Sequence, residues 1–282
     1  MPVGGECNAW RDNGKVEPIR SLVLAVLLVA GPAAAMTPGS NFRVCTPAGC
    51  VDHAVGTLAE LAKLPEVAKL AGSVTSISGH ETNGDLTGIA SFPNLEELDL
   101  HPASPSFKNL QPLAGLKALR KLNVQIISLT DASAVAELVN LEHLQIDDSQ
   151  ITRLPSLKKL TRLKVLRVRG AKVASLAPVA DAAALEDLEI RRTPVKSLAP
   201  LKGLSKLRIV RFTDASQVAD LSPLAGLGGI EELWLENTAV RDVAALHKLV
   251  KLRYLALPKG RVAPEKRKAL QTALPDLKID EN

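Results

Sequence analysis

The chain has 282 residues, a formal net charge of +5 and 46% hydrophobic side chains, but only 2% of its residues are aromatic. A globular enzyme of this size normally uses more Phe, Tyr and Trp to fill irregular space in its core. Stacked layers of one design can be filled with Leu, Ile, Val and Ala alone, so the composition favours a repetitive architecture. The small positive charge favours an anionic partner only weakly.

The N-terminal region has the pattern of a secretory signal peptide. Arg20 precedes a mostly apolar run over residues 21–30, which is followed by a Gly-Pro break and three small residues ending at Ala35. We predict that residues 1–35 are a signal peptide cleaved after Ala35, which would make the protein secreted or periplasmic. The alternative is an uncleaved membrane anchor, but the run is shorter than the about 20 apolar residues of a spanning helix.

Two cysteines follow the predicted cleavage site. Cys45 and Cys50 are separated by four residues that include a proline and a glycine, which favour a tight turn. We predict that the two cysteines form a disulfide in an oxidising compartment. Two free thiols, or half of a metal site with His53, are the alternatives, but no further cysteine supports metal binding. We therefore expect neither a metal ion nor another cofactor.

Residues 36–73 are predicted to cover the N-terminal end of the fold. Residues 36–56 look irregular, whereas Thr57 and Glu60 form a capping-box pattern that opens a helical segment ending at Gly72. Stacked repeats expose a hydrophobic end unless another element covers it. The helical segment and the disulfide loop are well placed to form that cap.

Residues 74–282 are built from copies of a Leu-x-x-Leu-x-Leu pattern in which Ile, Val or Phe sometimes substitutes. The copies start 22 to 24 residues apart, at Leu95, Leu119, Leu141, Leu163, Leu185, Leu207, Ile230, Leu252 and Leu274. A period of this length predicts a solenoid of leucine-rich repeats. The alternation predicts a strand with inward leucines, and the apolar residues three apart that follow, often with proline, predict turns and short 3₁₀ segments. A helix that opens at Pro264 is expected to lead into a last strand within residues 274–279.

The repeat resembles the 22-residue subclass of leucine-rich repeats that bacterial internalins share with a eukaryotic protein-phosphatase regulatory subunit. The resemblance rests on a strand, a short polar turn and a hydrophobic-x-Asp/Ser-Leu-x-Pro-Leu-x-x-Leu segment, as in residues 218–227. It implies an α/β solenoid, a right-handed superhelix with a parallel β-sheet on its concave face. It further implies turns and short 3₁₀ segments on the convex side, helical caps, and a role in binding proteins or other macromolecules.

One position departs from the family pattern. The family usually places Asn or Cys three residues after the last leucine of the strand, where the side chain bonds to backbone between coils. This chain has Ala103, Ile127, Ser149, Ala171, Thr193, Ala215 and Thr238 there. Ser and Thr hydroxyls can replace the missing amides, but Ala and Ile have no hydrogen-bonding group. We therefore expect the core periodicity to hold the fold without a complete ladder.

Alignment of the repeats places three outward positions of each strand in columns, with neighbours about 4.8 Å apart. Trp234 and Tyr254, the only Trp and Tyr beyond residue 35, fall on these columns in adjacent repeats. With Ile209 and Arg211 beside them, they have the composition of a protein-interface hot spot. The alternative is two incidental surface aromatics that cover neighbouring aliphatic side chains. In the last repeat, the alignment places Lys278 in line with Ala256.

Arginines cluster on the same face in the middle repeats, at Arg167, Arg169, Arg191 and Arg211. Arginines at strand spacing can bind carboxylates, phosphates or sulfates with two hydrogen bonds each. The alternative is a set of cross-strand ion pairs, in which Glu189 accepts from Arg167 and Arg211, and Asp147 accepts from Arg169. Three histidines, His80, His101 and His143, also occupy outward positions and could bind a metal or respond to pH, although surface histidines without a metal are the simpler interpretation.

The sequence has no Gly-rich phosphate loop, no Gly-x-Ser-x-Gly elbow and no His-Glu-x-x-His motif, so no enzymatic activity is predicted. Nucleic acid is a poor partner for a secreted protein without aromatic stacking platforms. We predict instead a non-catalytic protein that binds a protein partner on its concave face. The residues predicted to contact the partner are Arg167, Arg169, Arg191, Ile209, Arg211, Trp234 and Tyr254. The alternatives are an adhesin or envelope protein that binds an anionic polysaccharide, and an inhibitor or regulatory subunit of an enzyme.

Overall fold

The computed structural model describes residues 41–79, 86–101 and 108–281. The predicted signal peptide, His80 and Ala103 lie outside these residues. Twelve strands are found in the described part of the chain: β1 (Asn41–Thr46), β2 (Gly49–Ala54), β3 (Ser76–Gly79), β4 (Glu97–Leu100), β5 (Lys121–Gln125), β6 (His143–Asp147), β7 (Val165–Arg169), β8 (Asp187–Arg191), β9 (Ile209–Thr213), β10 (Glu232–Trp234), β11 (Tyr254–Leu257) and β12 (Lys278–Glu281).

All twelve strands belong to one sheet. Strands β3 to β12 follow one another in chain order and pair in parallel, and β1 lies antiparallel between β3 and β2. Parallel neighbours need a crossover connection, and the second half of each repeat provides it. The register stacks the inward leucines directly: Leu144 pairs with Leu166, and Leu166 pairs with Leu188.

Seven of the crossovers contain a short 3₁₀ segment, whereas the one between β6 and β7 contains none; the segments are Thr87–Ser91, Gln111–Leu113, Ser133–Glu137, Ala177–Asp181, Ala199–Leu201, Ser222–Leu224 and Ala244–Lys248. Four of them carry proline in the first turn, where no backbone N–H is needed. The described residues also form three α-helices: α1 (Leu58–Lys63), α2 (Pro65–Leu70) and α3 (Pro264–Ala273). No helix in the described ranges is long and apolar enough to cross a membrane.

The core lies between the sheet and the 3₁₀ segments and is almost entirely aliphatic. The strand leucines and the 3₁₀ leucines are fully buried, for example Leu188 and Leu201 at 0% exposure. Burial of one such side chain stabilises the fold by roughly 1.5–3 kcal/mol, so the repeats together supply most of the driving force. Phe92 and Phe212 are fully buried in the same layer. Packing therefore does not require Trp234 or Tyr254.

The N-terminal segment is more ordered than the sequence suggested. Residues 41–54, expected to be irregular, form the β1–β2 hairpin, so that prediction was wrong. Phe42 and Val44 alternate inward and are buried, which is the strand signal that the polar flanks obscured. Cys45 and Cys50 are directly opposite each other in the hairpin and form the predicted disulfide, with an S–S distance of 2.07 Å.

The predicted capping box is present at the start of α1. The hydroxyl of Thr57 accepts a hydrogen bond from the backbone N–H of Glu60 at 3.0 Å, and the Glu60 carboxylate accepts one from the Thr57 N–H at 3.1 Å. Leu64 then adopts an extended conformation, because the residue before a proline disfavours the helical region. Pro65 therefore divides the helical segment into α1 and α2.

The last strand lies two residues further along the chain than predicted. Lys278 pairs with Tyr254 rather than with Ala256, whose partner is Asp280. The reason is the connection, which contains α3 instead of a short 3₁₀ segment. An α-helix rises about 1.5 Å per residue against about 2.0 Å in a 3₁₀ helix, so more residues are needed to cover the same distance.

The position that carries Asn or Cys in the family forms no ladder here. Ile127 is 71% exposed, and the buried residue is its neighbour Ile126. Thr238 donates to the carbonyl of Leu235 in its own repeat at 2.7 Å rather than to the next coil. Ser149 and Thr193 are buried, but within the described residues their hydroxyls have no hydrogen-bond partner. The hydroxyls therefore do not replace the missing amides.

A left-handed residue ends five consecutive repeat strands, at Asp148, Gly170, Arg192, Asp214 and Asn237, with φ between 47° and 63°. Four of the five are Gly, Asp or Asn, which adopt this conformation most readily, and Arg192 is the exception. A Cβ atom on Gly170 would lie 2.5 Å from Asp148 Oδ1, which accepts a hydrogen bond from Arg192 at 2.9 Å. Gly170 thus leaves room for an ion pair that spans two repeats.

Candidate binding face

The outward side of the sheet is the concave face of the predicted solenoid, and the register places the predicted site residues in line on it. In one column, Glu189 pairs with Arg211, and Arg211 pairs with Trp234. In the preceding column, Ile209 lies between Asp187 and Glu232. Two groups of side chains can be distinguished on this face, one charged and one aromatic.

The charged group, called the central ion-pair network below, consists of Asp147, Arg167, Arg169, Asp187, Glu189 and Arg211. Arg169 donates two hydrogen bonds to the two oxygens of Glu189, at 2.6 and 2.8 Å. Arg167 and Arg211 donate to the two oxygens of Asp187, at 2.8 and 3.0 Å. Arg169 also approaches Asp147 at 3.5 Å. Cross-strand ion pairs, the predicted alternative, are therefore the arrangement observed, but the predicted partners were wrong. Arg167 and Arg211 bond to Asp187 rather than to Glu189. Arg169 bonds mainly to Glu189 rather than to Asp147.

Two of the three acids of the network are buried. Asp187 and Glu189 are only 9% and 7% exposed. Burial would raise the pKa of Glu189, but the hydrogen bonds from Arg169 and the charges of Arg167 and Arg211 outweigh it and lower that pKa. The guanidinium groups are consequently fixed by internal carboxylates and present little unsatisfied charge to a ligand.

Arg191 lies apart from this network. Its Nε donates to Asp214 at 3.3 Å, and half of its side chain is exposed. Asp214 also accepts a hydrogen bond from Asn237 at 2.8 Å. Arg191 is therefore held at the margin of the face, where a partner could still reach it.

The second group is the aromatic pair, Trp234 and Tyr254. The two ring centroids are 4.6 Å apart with an interplanar angle of 43°, and both residues remain partly exposed. The Arg211 guanidinium lies 5.8 Å from the centre of the Trp234 ring system, and Lys278 Nζ lies 5.4 Å from the centre of the Tyr254 ring. Cations at these distances are attracted by the ring faces, so the pair is bracketed by positive charge.

Polar partners fix the orientation of both rings. Trp234 Nε1 donates to a Glu232 oxygen at 3.3 Å, and the Tyr254 hydroxyl donates to Asp280. Burial, followed by this hydrogen bond, raises the pKa of Tyr254. Ala256 faces outward in the register, yet it is 0% exposed. Ala256 is therefore covered, and the two fixed rings form the apolar surface of this part of the face.

The described histidines that were predicted on outward positions, His101 and His143, have different surroundings. His101 contacts Asp99 at 2.9 Å and Gln125 at 3.2 Å, and the Asp99 carboxylate raises the pKa of His101. His143 lies on β6, where burial lowers its pKa. Within the described residues, no group of three or more His, Cys, Asp or Glu side chains could hold a metal ion.

A row of alternating charges along one margin of the sheet was missed by the sequence reasoning. This edge ladder consists of the residues that precede β4 to β11: Glu96, Arg120, Glu142, Lys164, Glu186, Arg208, Glu231 and Arg253. Acid and base alternate without exception. The signal was available in the sequence, because each residue follows the first leucine of its repeat.

Backbone hydrogen bonds place consecutive ladder residues side by side. The carbonyl of Glu96, for example, accepts from the N–H groups of both Arg120 and Lys121. The Arg120 side chain then lies 2.7 Å from Glu142, and Arg208 lies 2.9 Å from Glu231. The alternation neutralises the margin of the sheet internally, so we assign it to solubility and repeat register rather than to a ligand.

Comparison with known proteins identifies the architecture. No family model matches the chain, and no curated protein does so either. Among solved structures, the chain is similar to internalin C2 of Listeria monocytogenes, with 17% identity over 75% of this chain and 82% of that chain and a TM-score of 0.54. The chain has the leucine-rich repeat fold.

A second similar structure is the plant peptide hormone receptor RGFR1 in complex with RGF2. The identity is 18%, the TM-score is 0.59, and the match covers 74% of this chain but 36% of the receptor chain. At these identities the similarity establishes the fold alone. The internalin-like leucine-rich repeat architecture predicted from the sequence is thereby confirmed, with a long, mostly parallel sheet and 3₁₀ crossovers.

Proposed function

We propose that this leucine-rich repeat protein is a non-catalytic binding protein that recognises a protein partner through its concave face. The observation that supports the proposal most strongly is the aromatic pair. Trp234 and Tyr254 are partly exposed, orientated by hydrogen bonds and unnecessary for the aliphatic core. Rigid aromatics with an adjacent arginine are the side chains that contribute most binding energy at protein interfaces.

The surrounding residues suit a polar rim. Ile209 adds apolar area beside the pair, and Arg211 connects the pair to the central ion-pair network. We propose that Arg167, Arg169 and Arg191 contact the partner through their outer edges. A polar rim around an apolar centre is the usual arrangement of a protein interface.

A protein partner is favoured over an anionic polysaccharide on this face. A polyanion bound by the central arginines would have to displace Asp187 and Glu189, which are buried and already accept hydrogen bonds from those arginines. Loss of such pairs leaves buried carboxylates without compensation and is unfavourable. An enzyme whose activity this chain inhibits or regulates remains within the proposed class of partners.

We further propose that the protein acts outside the cytoplasm, after removal of residues 1–35. Residues 36–73 would then form the N-terminal cap, and residues 74–282 the repeats. The Cys45–Cys50 disulfide supports an oxidising compartment. N-terminal sequencing of the exported protein tests the proposal: a chain that begins at Met36 is expected, and retention of residues 1–35 would contradict it.

Affinity capture tests the binding proposal. The chain is expressed with its own leader, purified from the periplasm or medium, immobilised and exposed to the same fraction of the host. Trp234→Ala and Arg211→Ala are compared with wild type, and Val250→Ala is the control because Val250 is 79% exposed on a turn rather than on the sheet. We expect a partner retained by wild type and the control and lost from Trp234→Ala. Equal capture by all four chains would rule out the aromatic pair as the binding centre.

A further inference from the structure

A second charged feature lies outside the concave face, on the turns that lead into alternate strands. The basic row consists of Lys158 and Arg162 before β7, Lys202 and Lys206 before β9, and Lys251 before β11. All five side chains are exposed. Arg162, Lys206 and Lys251 occupy the same position in their repeats, directly before the first leucine of the strand pattern.

The repeats between these cations carry small residues at the same positions. In the column of cations that precede the first leucine, Ala184 lies between Arg162 and Lys206, and Gly229 lies between Lys206 and Lys251. The column that contains Lys158 and Lys202 alternates in the same way. Ala180 and Ala225 occupy this position in the repeats before and after that of Lys202. Small side chains thus separate the cations within each column, and Glu231 of the edge ladder is the acid whose pKa is lowered first by the hydrogen bond from Arg208 and further by the charge of Lys251.

The edge ladder provides an internal contrast. There, glutamates in the intervening repeats bind the cations, so that Arg208 lies 2.9 Å from Glu231. Lys206 lies two residues before Arg208, but the same position in the adjacent repeats is occupied by Ala184 and Gly229. Within the described residues, the five cations of the basic row form no ion pair and no side-chain hydrogen bond with the protein.

The spacing of the row defines the kind of ligand that fits it. Cations in every second repeat are two strand spacings apart, about 10 Å, and the column from Arg162 to Lys251 spans about 19 Å. Nucleic acids carry charges much closer together, about 3.4 Å per phosphate along a duplex strand. A linear sugar polymer with one acidic group per disaccharide has charges at close to the spacing of the row.

We propose that the basic row binds a linear acidic polysaccharide that carries one carboxylate or sulfate per disaccharide. The polymer would lie along the solenoid, across the turns that enter β7, β9 and β11. Each acidic group would meet the cations of one basic repeat, and the intervening Ala and Gly positions would accept the neutral sugars. This surface differs from the concave face, so a protein and a polysaccharide could be bound together.

The test uses hyaluronan oligosaccharides, which carry one carboxylate per disaccharide, with the mature chain. The variant Arg162→Gln/Lys206→Gln/Lys251→Gln is compared with a control of equal charge, Lys172→Gln/Lys196→Gln/Lys259→Gln, whose lysines are exposed at other positions of the coil. We expect at least a tenfold loss of affinity in the first variant and less than a twofold loss in the control. Melting temperatures should match wild type in both.

The length and salt dependence make the test specific. Affinity should rise steeply up to three disaccharides, the length that reaches all three basic repeats, and should fall as salt is increased. Neutral dextran should not bind, and Trp234→Ala should bind hyaluronan like wild type, whatever the outcome for the protein partner. Equal losses in the two triple variants, absence of binding, or tighter binding of single-stranded RNA of equal charge would each overturn the proposal.

Discussion

The central ion-pair network and the aromatic pair occupy neighbouring strands of the same sheet, in the same columns, over the same leucine framework. In the network, the arginines and carboxylates bind one another, and Asp187 and Glu189 are nearly inaccessible. In the pair, Trp234 and Tyr254 hold each other in place but keep part of their surface exposed. Identical backbone positions therefore serve stability in one region and present a surface in the other.

The contrast between the network and the aromatic pair shows that an outward position alone does not define a binding site. A charged side chain between repeats of opposite charge is satisfied by its neighbours, as the edge ladder also shows. Trp234 and Tyr254 lie against each other and against cations, and each still keeps part of its surface exposed. Substitutions in the two regions should therefore separate stability from binding.

The largest effect is expected for Glu189→Ala. The change leaves Arg169 without its bidentate acceptor and removes the charge near Arg167. Because these guanidinium groups are mostly buried, we expect the free energy of unfolding to fall by about 3 kcal/mol. Urea denaturation followed by circular dichroism measures the change.

Arg191→Ala is the matched control for this measurement. Half of the Arg191 side chain is exposed, so solvent screens its pair with Asp214, and the loss should stay below about 1 kcal/mol. A loss as large as that of Glu189→Ala would show that exposure does not separate the two kinds of arginine.

Trp234→Ala should reduce binding of the partner more than it reduces the stability of the fold. Loss of an anchor residue at an interface weakens binding by about 2 kcal/mol or more, roughly thirtyfold in Kd. The ring contact with Tyr254 contributes only about 1 kcal/mol to folding. Isothermal titration with the captured partner and urea denaturation should report these two values. A large loss of stability with unchanged binding would assign the tryptophan to structure.

Acidification should weaken the central ion-pair network. The arginines lower the pKa of Glu189 below its unfolded value of about 4.3, so its contribution is present above that pH and is lost as the pH falls through the folded pKa. We expect the stability difference between wild type and Glu189→Gln to shrink between about pH 6 and pH 3. A difference that stays constant would contradict the pairing.

The smallest effect is expected in the edge ladder. Glu231→Arg would place three arginines side by side, since Arg208 and Arg253 are its repeat neighbours. Because these side chains are well exposed, the melting temperature should fall slightly at low salt. The difference should vanish near 1 M salt, where the screening length is about 3 Å. A decrease that persists at high salt would indicate a packing role for the ladder.

Much of the fold could be predicted from the sequence, because the repeat pattern fixes strand, crossover and core together. The registers from β3 to β11 follow from the 22-residue period. The last strand was misplaced because α3 changes the number of residues per coil, a length that leucine positions do not reveal. The β1–β2 hairpin was missed because only Phe42 and Val44 of its side chains are buried.

The binding face was predictable only in part. The columns correctly placed Trp234 beside Tyr254 and the arginines beside the acids. Which acid each arginine selects was not predictable, because Asp187 and Glu189 point to the same face and both lie within 4 Å of Arg167, at 2.8 and 3.8 Å. The left-handed residues Asp148 and Arg192 were missed, although their two-repeat ion pair depends on the glycine between them.

The repeat pattern was enough to predict the solenoid, its period and the composition of its outward columns, because each leucine has one role and the roles recur. The contacts between repeats then show which outward residues bind one another and which remain accessible. That distinction depends on distances of a few ångströms between side chains of different repeats. A period of 22 residues brings those repeats together, but it does not specify how long side chains such as Arg211 divide their contacts between a carboxylate and an aromatic ring.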